Sequence, residues 1–271
     1  MIKLPLSTSK QSALAVATNV ARRAGKVALE RFNKEKKVSF KGRANVVTDV
    51  DIKAETAVLT VLKKEYPDFN ILSEESEPIK TSSSYSWIVD PVDGTRNYAS
   101  NVPHYCVVVA LALEGEIILG ITYDPVRDEL FHAEKGKGAH LNGTRISVSP
   151  KKTLEQCLLG FDMGYVDKKA LTALSMVQGL WGNLQGMRVM GSSALGLAYA
   201  ACGRFDLYFH HHLYPWDIAS GLLLVNEAGG VVLDKKGEIS NLQSVSVIAS
   251  SHHLLDLFLK ATNRTEWRLS T

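Results

Sequence analysis

The spacing of apolar residues predicts the secondary structure of the first half of the chain. Apolar residues recur every three or four positions over residues 13–32, which predicts an amphipathic helix. A second helix is predicted after the cap candidates Thr48 and Asp49, and Pro67 ends it. Shorter apolar runs predict strands at 70–72, 87–89, 106–113, 116–123, 130–134 and 145–148. Turn residues separate the last four runs, which favours an antiparallel meander.

After about residue 150, strand-like runs alternate with helical periods. Strands are predicted at 157–161, 205–209, 231–234 and 245–249. Helices are predicted at 168–182, 192–201 and 217–228. This alternation is typical of a layered α/β arrangement. We therefore predict an N-terminal α+β domain with an antiparallel sheet over residues 1–150 and a C-terminal α/β domain over residues 151–271.

Composition and charge narrow the class of protein. Apolar residues make up 45% and charged residues 22% of the 271 positions, which is the balance of a soluble globular protein. A net charge of +3 gives no reason to expect nucleic acid or an anionic membrane as a partner. The three cysteines form no CxxC pair, and no apolar run is long enough to span a bilayer. The acid-free residues 1–29 resemble a transit peptide, but their helical period favours a cytoplasmic protein.

Acidic residues cluster at three transitions between predicted elements. Glu74 and Glu75 follow a strand, Asp90 and Asp93 follow the next strand, and Asp217 begins a helix. Backbone N–H groups are free at such places, and α/β proteins often build sites there. Carboxylates brought together would repel one another unless a cation lay between them. Oxygen ligands without His or Cys favour Mg²⁺ or Mn²⁺ over zinc.

Gly94 and Thr95 follow these aspartates directly. A small residue with free N–H groups at a helix start can cradle a phosphate. Taken singly, each acidic motif has an ordinary explanation as a turn, a solvated loop or a helix cap. Their joint occurrence at equivalent transitions favours a site for a metal and a phosphate.

Four segments resemble the inositol monophosphatase family of lithium-sensitive, magnesium-dependent phosphatases. Residues 87–95 match its first signature, and residues 216–221 with 227–230 match its second. Residues 73–76 are similar to its Gly-Glu-Glu-Ser segment, with Ser73 in place of glycine, and residues 47–51 are similar to a segment with a catalytic aspartate. The resemblance extends from the first helix to about residue 253. It implies a mixed α/β fold, the layered αβαβα sandwich of carbohydrate phosphatases.

The resemblance also implies a set of metal ligands. Glu74, Asp90 and the carbonyl oxygen of Val92 would hold a first Mg²⁺. Asp90, Asp93 and Asp217 would hold a second, and Glu74 with waters would hold a weaker third. Most of these ligands lie in residues 1–150, and the second half would complete the site with Asp217.

The implied reaction is hydrolysis of a phosphomonoester by a metal-activated water, without a phosphoenzyme. Asp51 and Thr95 would orient and deprotonate the water, with Glu74 as a further catalytic residue. The N–H groups of Gly94 and Thr95 would hold the phosphate. Lys41 lies near the position of a lysine on the family's mobile loop, with a spacing that differs by one residue.

Substrate recognition is where the sequence departs from the family pattern. Inositol-directed members carry an acidic residue seven positions before the second-signature aspartate, where this chain has His210. The expected contacts to substrate and phosphate are Asp93, Gly94, Thr95, Gly191, Ser192, Ser193, His210 and Asp217. His210 and His212 would share a strand face, but two imidazoles do not make a metal site, and a role of His210 in substrate choice is favoured.

Several functions remain open on this scaffold. The first is a phosphatase for a small polyol or sugar phosphate. Fructose-1,6-bisphosphatase, histidinol-phosphatase and 3′-phosphoadenosine 5′-phosphate phosphatase are alternatives, and the bisphosphate substrates would need a basic residue such as Arg96 or Arg188 near the site. A transcription-associated interaction protein is an alternative of another class. The resemblance also implies a homodimer.

Overall fold

The computed structural model describes residues 4–42 and 45–269. The helices are α1 (Ala13–Arg31), α2 (Asp49–Glu65), α3 (Thr95–Ala99), α4 (Asp167–Leu180), α5 (Ser193–Ala201), α6 (Pro215–Glu227), α7 (His252–Thr262) and α8 (Glu266–Leu269). The strands are β1 (Val38–Gly42), β2 (Asn45–Thr48), β3 (Asn70–Ser73), β4 (Tyr85–Asp93), β5 (Cys106–Leu113), β6 (Glu116–Asp124), β7 (Glu129–Glu134), β8 (Ala139–Leu141), β9 (Thr144–Arg145), β10 (Leu158–Phe161), β11 (Gly186–Val189), β12 (Leu207–His211), β13 (Val231–Leu233) and β14 (Ser246–Ser250).

The strands form two large sheets and one hairpin. The first large sheet has the order β3-β4-β5-β6-β7-β8-β9, and all its neighbours are antiparallel except β3 and β4. The second has the order β11-β10-β12-β14-β13. In it β10 runs parallel to both its neighbours, whereas β14 is antiparallel to β12 and β13. Strands β1 and β2 form a separate two-stranded antiparallel sheet.

Both faces of each large sheet are covered, which gives five layers. Along β4, Trp87 packs with α1 and α2, and Ile88 faces the opposite layer with α5 and α6. The same helices α5 and α6 also contact the second sheet, where Tyr208 belongs to their cluster. The outer face of that sheet packs on α4, α7 and α8 around Phe209. The αβαβα sandwich is therefore confirmed, because alternating side chains of one strand serve two apolar layers.

The elements that sequence analysis missed are mostly those without a buried face. Strand β1 is exposed at every position, and β11 is an edge strand with no fully buried side chain. Such strands carry no periodic apolar signal. Helix α7 did carry one, with a Ser251 cap and buried Leu254 and Phe258. The predicted strand at 145–148 is limited to Thr144–Arg145.

The division into two domains at residue 150 stays a prediction. Helices α5 and α6 of the second half lie between the two sheets and contact strands of both. Among the described residues, no helix combines the length and the apolar character that crossing a membrane would require. The cytoplasmic location also stays a prediction.

Candidate active site

A bulge at the end of β4 turns Asp90 and Asp93 to one side. Asp90 pairs with Val108 of β5 and Asp93 with Cys106, so three steps on one strand oppose two on the other. Residues three apart on a regular strand point to opposite faces, and the extra residue of a bulge reverses that relation. The backbone N–H of Val92 donates to Asp90 Oδ1 at 2.9 Å, which fixes the turn.

Asp217 reaches the same point from the first turn of α6. Pro215 opens that helix, and the backbone N–H of Tyr214 donates to Asp217 Oδ2 at 2.7 Å. Carboxylate oxygens of Asp90, Asp93 and Asp217 all lie within 4.8 Å of one another. The sequence-predicted ligands from the two halves of the chain therefore converge.

Asp93 is held by four donors. Ser193 Oγ donates to its Oδ1 at 2.9 Å, while Ser192 Oγ and the backbone N–H of Ala194 (3.0 Å) donate to its Oδ2. Cys106 Sγ lies 3.6 Å from the same Oδ2. The N-terminus of α5 is thus attached to the end of β4, which joins the two sheets at the site.

Glu74 lies beside this trio, at the end of β3. It hydrogen-bonds with Asp90, although it is outside the set of three mutually close carboxylates. Lys41 Nζ lies 2.6 Å from Glu75 and 3.5 Å from Glu74. Burial alone would lower the pKa of Lys41, but the hydrogen bond to Glu75 and the charges of both glutamates raise it. Lys41 therefore lies at the edge of the cluster, as a cation.

Burial and mutual repulsion favour protonation of these acids when no cation is bound. Burial raises the pKa of Glu74 to about 7, with the charge of Glu75 as the next cause. Burial, followed by the charges of its neighbours, also raises the pKa of Asp90 and Asp217 well above the usual value. Every side-chain donor here is a carboxylate oxygen, so the site fits a hard divalent cation.

Asp51 and Thr95, which the resemblance assigns to the same water, are in contact with each other. Thr95 Oγ1 lies 3.1 Å from Asp51 Oδ1 and 3.0 Å from the carbonyl oxygen of Val92. The backbone N–H of Thr48 donates to Asp51 Oδ2 at 2.9 Å as part of a helix capping box. Burial raises the pKa of Asp51 despite these hydrogen bonds.

A cavity of about 300 Å³ opens beside the carboxylates. Of the predicted substrate contacts, it is lined by Asp93, Gly94, Gly191, Ser192, Ser193, His210 and Asp217. Thr95, the next residue along the chain from Gly94, is buried and is not part of this lining. Gly94 and Gly191 both have left-handed φ angles, of +93° and +79°, which a side chain would strain. Their backbones can therefore approach a ligand closely.

Another part of the cavity lining has a different character. Five of its side chains are apolar or aromatic: Met163, Tyr165, Val189, Met190 and Leu213. The guanidinium carbon of Arg96 lies 4.2 Å from the centre of the Tyr165 ring. His210 is buried, and its Nδ1 has no hydrogen-bond partner within residues 4–42 and 45–269. Burial, followed by the neighbouring histidines, holds the pKa of His210 well below its ordinary value.

Sequence analysis missed Asp162 and most of this wall. Asp162 directly follows strand β10, and Asp90 directly follows the apolar run at 87–89 within β4. The same rule, an acidic residue at the end of an apolar run, could therefore have identified Asp162. Its carboxylate accepts from the backbone N–H groups of Met190 (3.0 Å) and Gly191 (2.6 Å) and from the Tyr208 hydroxyl (2.8 Å). Asp162 thereby anchors the Gly191 loop to the second sheet.

Of the remaining candidate residues, some line the cavity and others do not. His212 lines the cavity with His210, whereas His211 Nδ1 accepts from the indole N–H of Trp267 at 2.9 Å. Within the described ranges, these histidines belong to no cluster of three metal-ligating side chains. Arg96 lines the cavity, whereas Arg188 lines a separate hollow beside Lys151 and Arg204.

Known proteins are similar to this chain over most of its length. A protein-family model described as the inositol monophosphatase family matches residues 9–266. The chain is 38% identical to an inositol-1-monophosphatase of Rhizobium meliloti, covering 91% of this chain and 94% of the relative. It is 40% identical to a protein named Nus factor SuhB of Xylella fastidiosa, covering 84% of each.

A solved structure is also similar to this chain. The extragenic suppressor protein suhB of Bartonella henselae superposes with a TM-score of 0.89 at 36% identity, covering 93% of this chain and 98% of that one. The predicted family and fold are thereby confirmed, and membership supports a metal-dependent phosphatase with a small phosphorylated substrate. The chain belongs to the inositol monophosphatase family.

Proposed function

We propose that this protein hydrolyses a phosphomonoester of a small polyol or sugar and that it needs two or three divalent cations, in particular Mg²⁺, to do so. The observation that carries the proposal is the convergence of Asp90, Asp93 and Asp217 within 4.8 Å. Buried carboxylates this close repel one another unless they are protonated or share a cation. Their position beside a cavity supports a catalytic site.

The donor set supports Mg²⁺, with Mn²⁺ as a substitute, because all its members are oxygens. Glu74, Asp90 and the carbonyl oxygen of Val92 would hold one cation. Asp90, Asp93 and Asp217 would hold another, and Glu74 would contribute to a weaker third. When bound, the cations would lower the pKa of water and neutralise negative charge on the phosphoryl group.

Asp51 and Thr95 are proposed to orient the attacking water and to take up its proton. The 3.1 Å distance between their side-chain oxygens supports transfer of a proton from the hydroxyl to the carboxylate. Burial of Asp51 raises its pKa, which makes it a stronger base than an exposed aspartate. Glu74 is a further candidate for handling the proton, since it hydrogen-bonds with Asp90.

The phosphate is proposed to lie against the backbone of Gly94 and Thr95. These two residues open α3, and helix N-termini favour anions because their first N–H groups lack partners within the helix. At the start of α5, by contrast, the Ala194 N–H already donates to Asp93. Gly191, Ser192, Ser193 and His210 would then contact the alcohol part of the substrate.

Arg96 is relevant to the alternative substrates that carry two phosphates. It lines the cavity, where it could neutralise a second phosphate, so fructose-1,6-bisphosphatase and 3′-phosphoadenosine 5′-phosphate phosphatase remain alternative proposals. Arg188 gives them no support from its separate hollow. Histidinol-phosphatase is a further alternative for a substrate with one phosphate.

A transcription-associated role is the alternative of another class, and the name of the Xylella relative supports it. The intact carboxylates Glu74, Asp90, Asp93 and Asp217 favour catalysis. A homodimer is also proposed, and the exposed apolar side chains Leu171, Leu174 and Trp181 in and after α4 support an interface there. Light scattering at several concentrations would measure the mass in solution.

The test is a panel of phosphomonoesters assayed with Mg²⁺, with EDTA, and with Mg²⁺ restored. We expect activity only when the cation is present, and inhibition by Li⁺. The control for contaminating phosphatase is the Asp90→Asn variant purified in the same way. Absence of hydrolysis across the panel in Mg²⁺ and in Mn²⁺ would contradict the proposal. A captured component of the transcription machinery would then favour the interaction protein.

A further inference from the structure

We infer that Glu55 is a positioning residue for the reaction: its carboxylate fixes Glu74 relative to Asp51, so that a cation held by Glu74 and the base Asp51 keep a set distance. The inference rests on the proposed function, because Glu74 and Asp51 have their roles in that reaction. Glu55 itself would touch neither the substrate nor the cation. It would act through the two residues that flank Glu74.

The first argument is the place of Glu55 in α2. It follows Asp51 by four residues, about one turn of helix, so the two side chains project from the same face. Both residues are buried, and a buried carboxylate is costly unless hydrogen bonds compensate it. Asp51 contacts Thr95, whereas Glu55 contacts Ser73 at the end of β3. One helix therefore reaches both the proposed base and the strand that ends at a proposed metal ligand.

The second argument is what Glu55 binds. Its Oε1 accepts from the Ser73 hydroxyl and from the backbone N–H of Glu75 at 3.1 Å. These donors belong to the residues immediately before and after Glu74. The backbone N–H of Glu74 itself donates to the carbonyl oxygen of Val89 in β4 at 3.3 Å. The segment that carries Glu74 is thus held by α2 on both flanks and by β4 between them, which restricts where its carboxylate can point.

The third argument is the residue that this chain has at position 73. The family segment similar to residues 73–76 begins with glycine, which has no side-chain donor. Ser73 is buried, and its hydroxyl donates to Glu55. The serine therefore adds a bond to Glu55 that a glycine could not form. Ser73→Ala removes this bond and leaves the backbone bond from Glu75.

The size of the expected effect follows from the behaviour of groups that orient metal ligands. Replacing such a group commonly lowers metal affinity or activity about ten- to a hundredfold. Bonds to an ionised acceptor are about twice as strong as neutral ones. Loss of the Glu55 carboxylate, which accepts both bonds, should therefore have a larger effect than loss of the Ser73 hydroxyl, which donates one.

The test measures the apparent Kd of Mn²⁺ from the electron paramagnetic resonance signal of the free ion, which needs no substrate. We expect Glu55→Ala to raise this Kd about tenfold or more, and Ser73→Ala to raise it by a smaller factor. Glu55→Gln keeps an acceptor oxygen for both donors, so it should retain most of the affinity that Glu55→Ala loses. A residue that acted only through its negative charge would lose as much in the glutamine variant as in the alanine variant.

A matched control lies at the other end of the same helix. Glu65 accepts from the Ser9 hydroxyl at 2.6 Å and from the Ser9 backbone N–H at 3.2 Å, so it attaches α2 to another segment with the same kind of bonds. It lies about 15 Å of helix beyond Glu55. Glu65→Ala should lower the melting temperature and leave the Kd of Mn²⁺ unchanged.

Steady-state kinetics give a second readout with a substrate that the parent hydrolyses. In Glu55→Ala, the Mg²⁺ concentration for half-maximal rate should rise. The value of kcat at saturating Mg²⁺ should stay below the parent's, because Glu74 and Asp51 are no longer held at one distance. KM for the substrate should change less than kcat, since Glu55 does not line the cavity.

A Kd of Mn²⁺ equal to the parent's in Glu55→Ala and Ser73→Ala would overturn the inference and leave the proposed function intact. Equal losses in Glu55→Gln and Glu55→Ala would overturn it too, as would an equal loss in Glu65→Ala. If Glu55→Ala does not fold, Ser73→Ala compared with Ser9→Ala decides. A parent that binds Mn²⁺ but hydrolyses no phosphomonoester would contradict the proposed function, and the Mn²⁺ titrations would still decide the role of Glu55. A parent that binds no Mn²⁺ would overturn both.

Discussion

The two sides of the cavity are built in different ways. On one side, Asp93 and Asp162 receive several hydrogen bonds each, and these bonds connect the ends of strands and helices from both sheets. On the other side, Tyr165 and Val189 lie in a loop and an edge strand, and His210 Nδ1 is unpaired within the described residues. This difference supports the proposal that cation binding depends mainly on the carboxylates and substrate choice mainly on the apolar part of the lining, with Asp93 and Asp217 shared between them.

The Asp90→Asn substitution, at the carboxylates, should have the largest effect on activity. Losing one shared ligand should lower kcat/KM on the order of 10³-fold, because cations contribute several kcal/mol to stabilising the transition state. The variant should fold, and without Mg²⁺ it should melt no lower than the parent, because one of three repelling buried acids is removed. Activity assays and calorimetry with and without Mg²⁺ measure both effects.

Two outcomes would contradict the assignment of Asp90. Activity above about a tenth of the parent's would show that Asp90 is not a shared ligand. A lower metal-free melting temperature would show that Asp90 stabilises the fold, so that the carboxylates are structural. Asp128→Asn, at an exposed acid that pairs with Arg22, controls for loss of an ordinary ion pair.

The Asp162→Asn substitution, which alters the anchor of the Gly191 loop, should have the next largest effect. The amide keeps one acceptor oxygen, but its NH₂ group cannot accept from the Tyr208 hydroxyl. We expect the free energy of unfolding to fall by about 1–3 kcal/mol. KM should rise more than kcat falls, since Gly191 lines the cavity as a predicted substrate contact and is not one of the proposed metal ligands. Urea unfolding and steady-state kinetics test these expectations.

A double-mutant cycle sharpens this result. Tyr208→Phe removes the hydroxyl that bonds Asp162, so in the double variant this bond is lost only once, and the two losses of stability should be less than additive. Strictly additive free energies of unfolding would mean that the two side chains do not interact. The loop would then be held by the backbone bonds of Met190 and Gly191 alone.

The His210→Glu substitution should produce a smaller effect, confined to substrate choice. A glutamate at this position adds a hydroxyl acceptor to the wall that now carries an unpaired imidazole nitrogen. We expect the ratio of kcat/KM for ribose 5-phosphate over uridine 5′-monophosphate to rise about tenfold. His210→Gln, which adds an acceptor without charge, should shift the ratio less. An unchanged ratio in both variants would remove His210 from substrate recognition.

The same contrast explains what the sequence could predict. Asp90, Asp93 and Asp217 stand at strand ends and a helix start, where local chemistry marks a site, and Asp51 and Thr95 followed from the resemblance. Their proximity agrees with both lines of inference. These side chains come together because a bulge and a helix cap, each encoded by neighbouring residues, orient them.

The substrate wall could not be predicted in this way. Tyr165 and Val189 are apolar residues of a loop and an edge strand, and nothing in their neighbourhood in the sequence separates them from core residues. Only long-range packing of the second sheet brings them to the cavity. Asp162 is the exception, because it follows a buried strand and was accessible to the rule that identified Asp90.

Replacing His104 should have the smallest effect. Unlike Asp93 and Asp162, its side chain forms no hydrogen bond with a described residue. It is 4% exposed, and neither ring nitrogen has a partner among the described residues. Burial lowers its pKa to about 4, against about 6.5 in an unfolded chain. Between these values the unfolded state binds a proton that the native state does not. Stability is therefore lost as pH falls from about 6.5 towards 4.

His104→Leu should remove one proton's share of this acid sensitivity. We expect the loss of unfolding free energy between pH 7 and pH 5 to be smaller than the parent's by on the order of 1 kcal/mol. Urea titrations of the metal-free protein at both values measure it, with His252→Leu, at an exposed histidine, as the matched control. If His104→Leu and the parent lose equal stability, His104 does not stay neutral in the fold. The ring would then need a polar partner. In that case His104 would be held by hydrogen bonds, as Asp93 and Asp162 are.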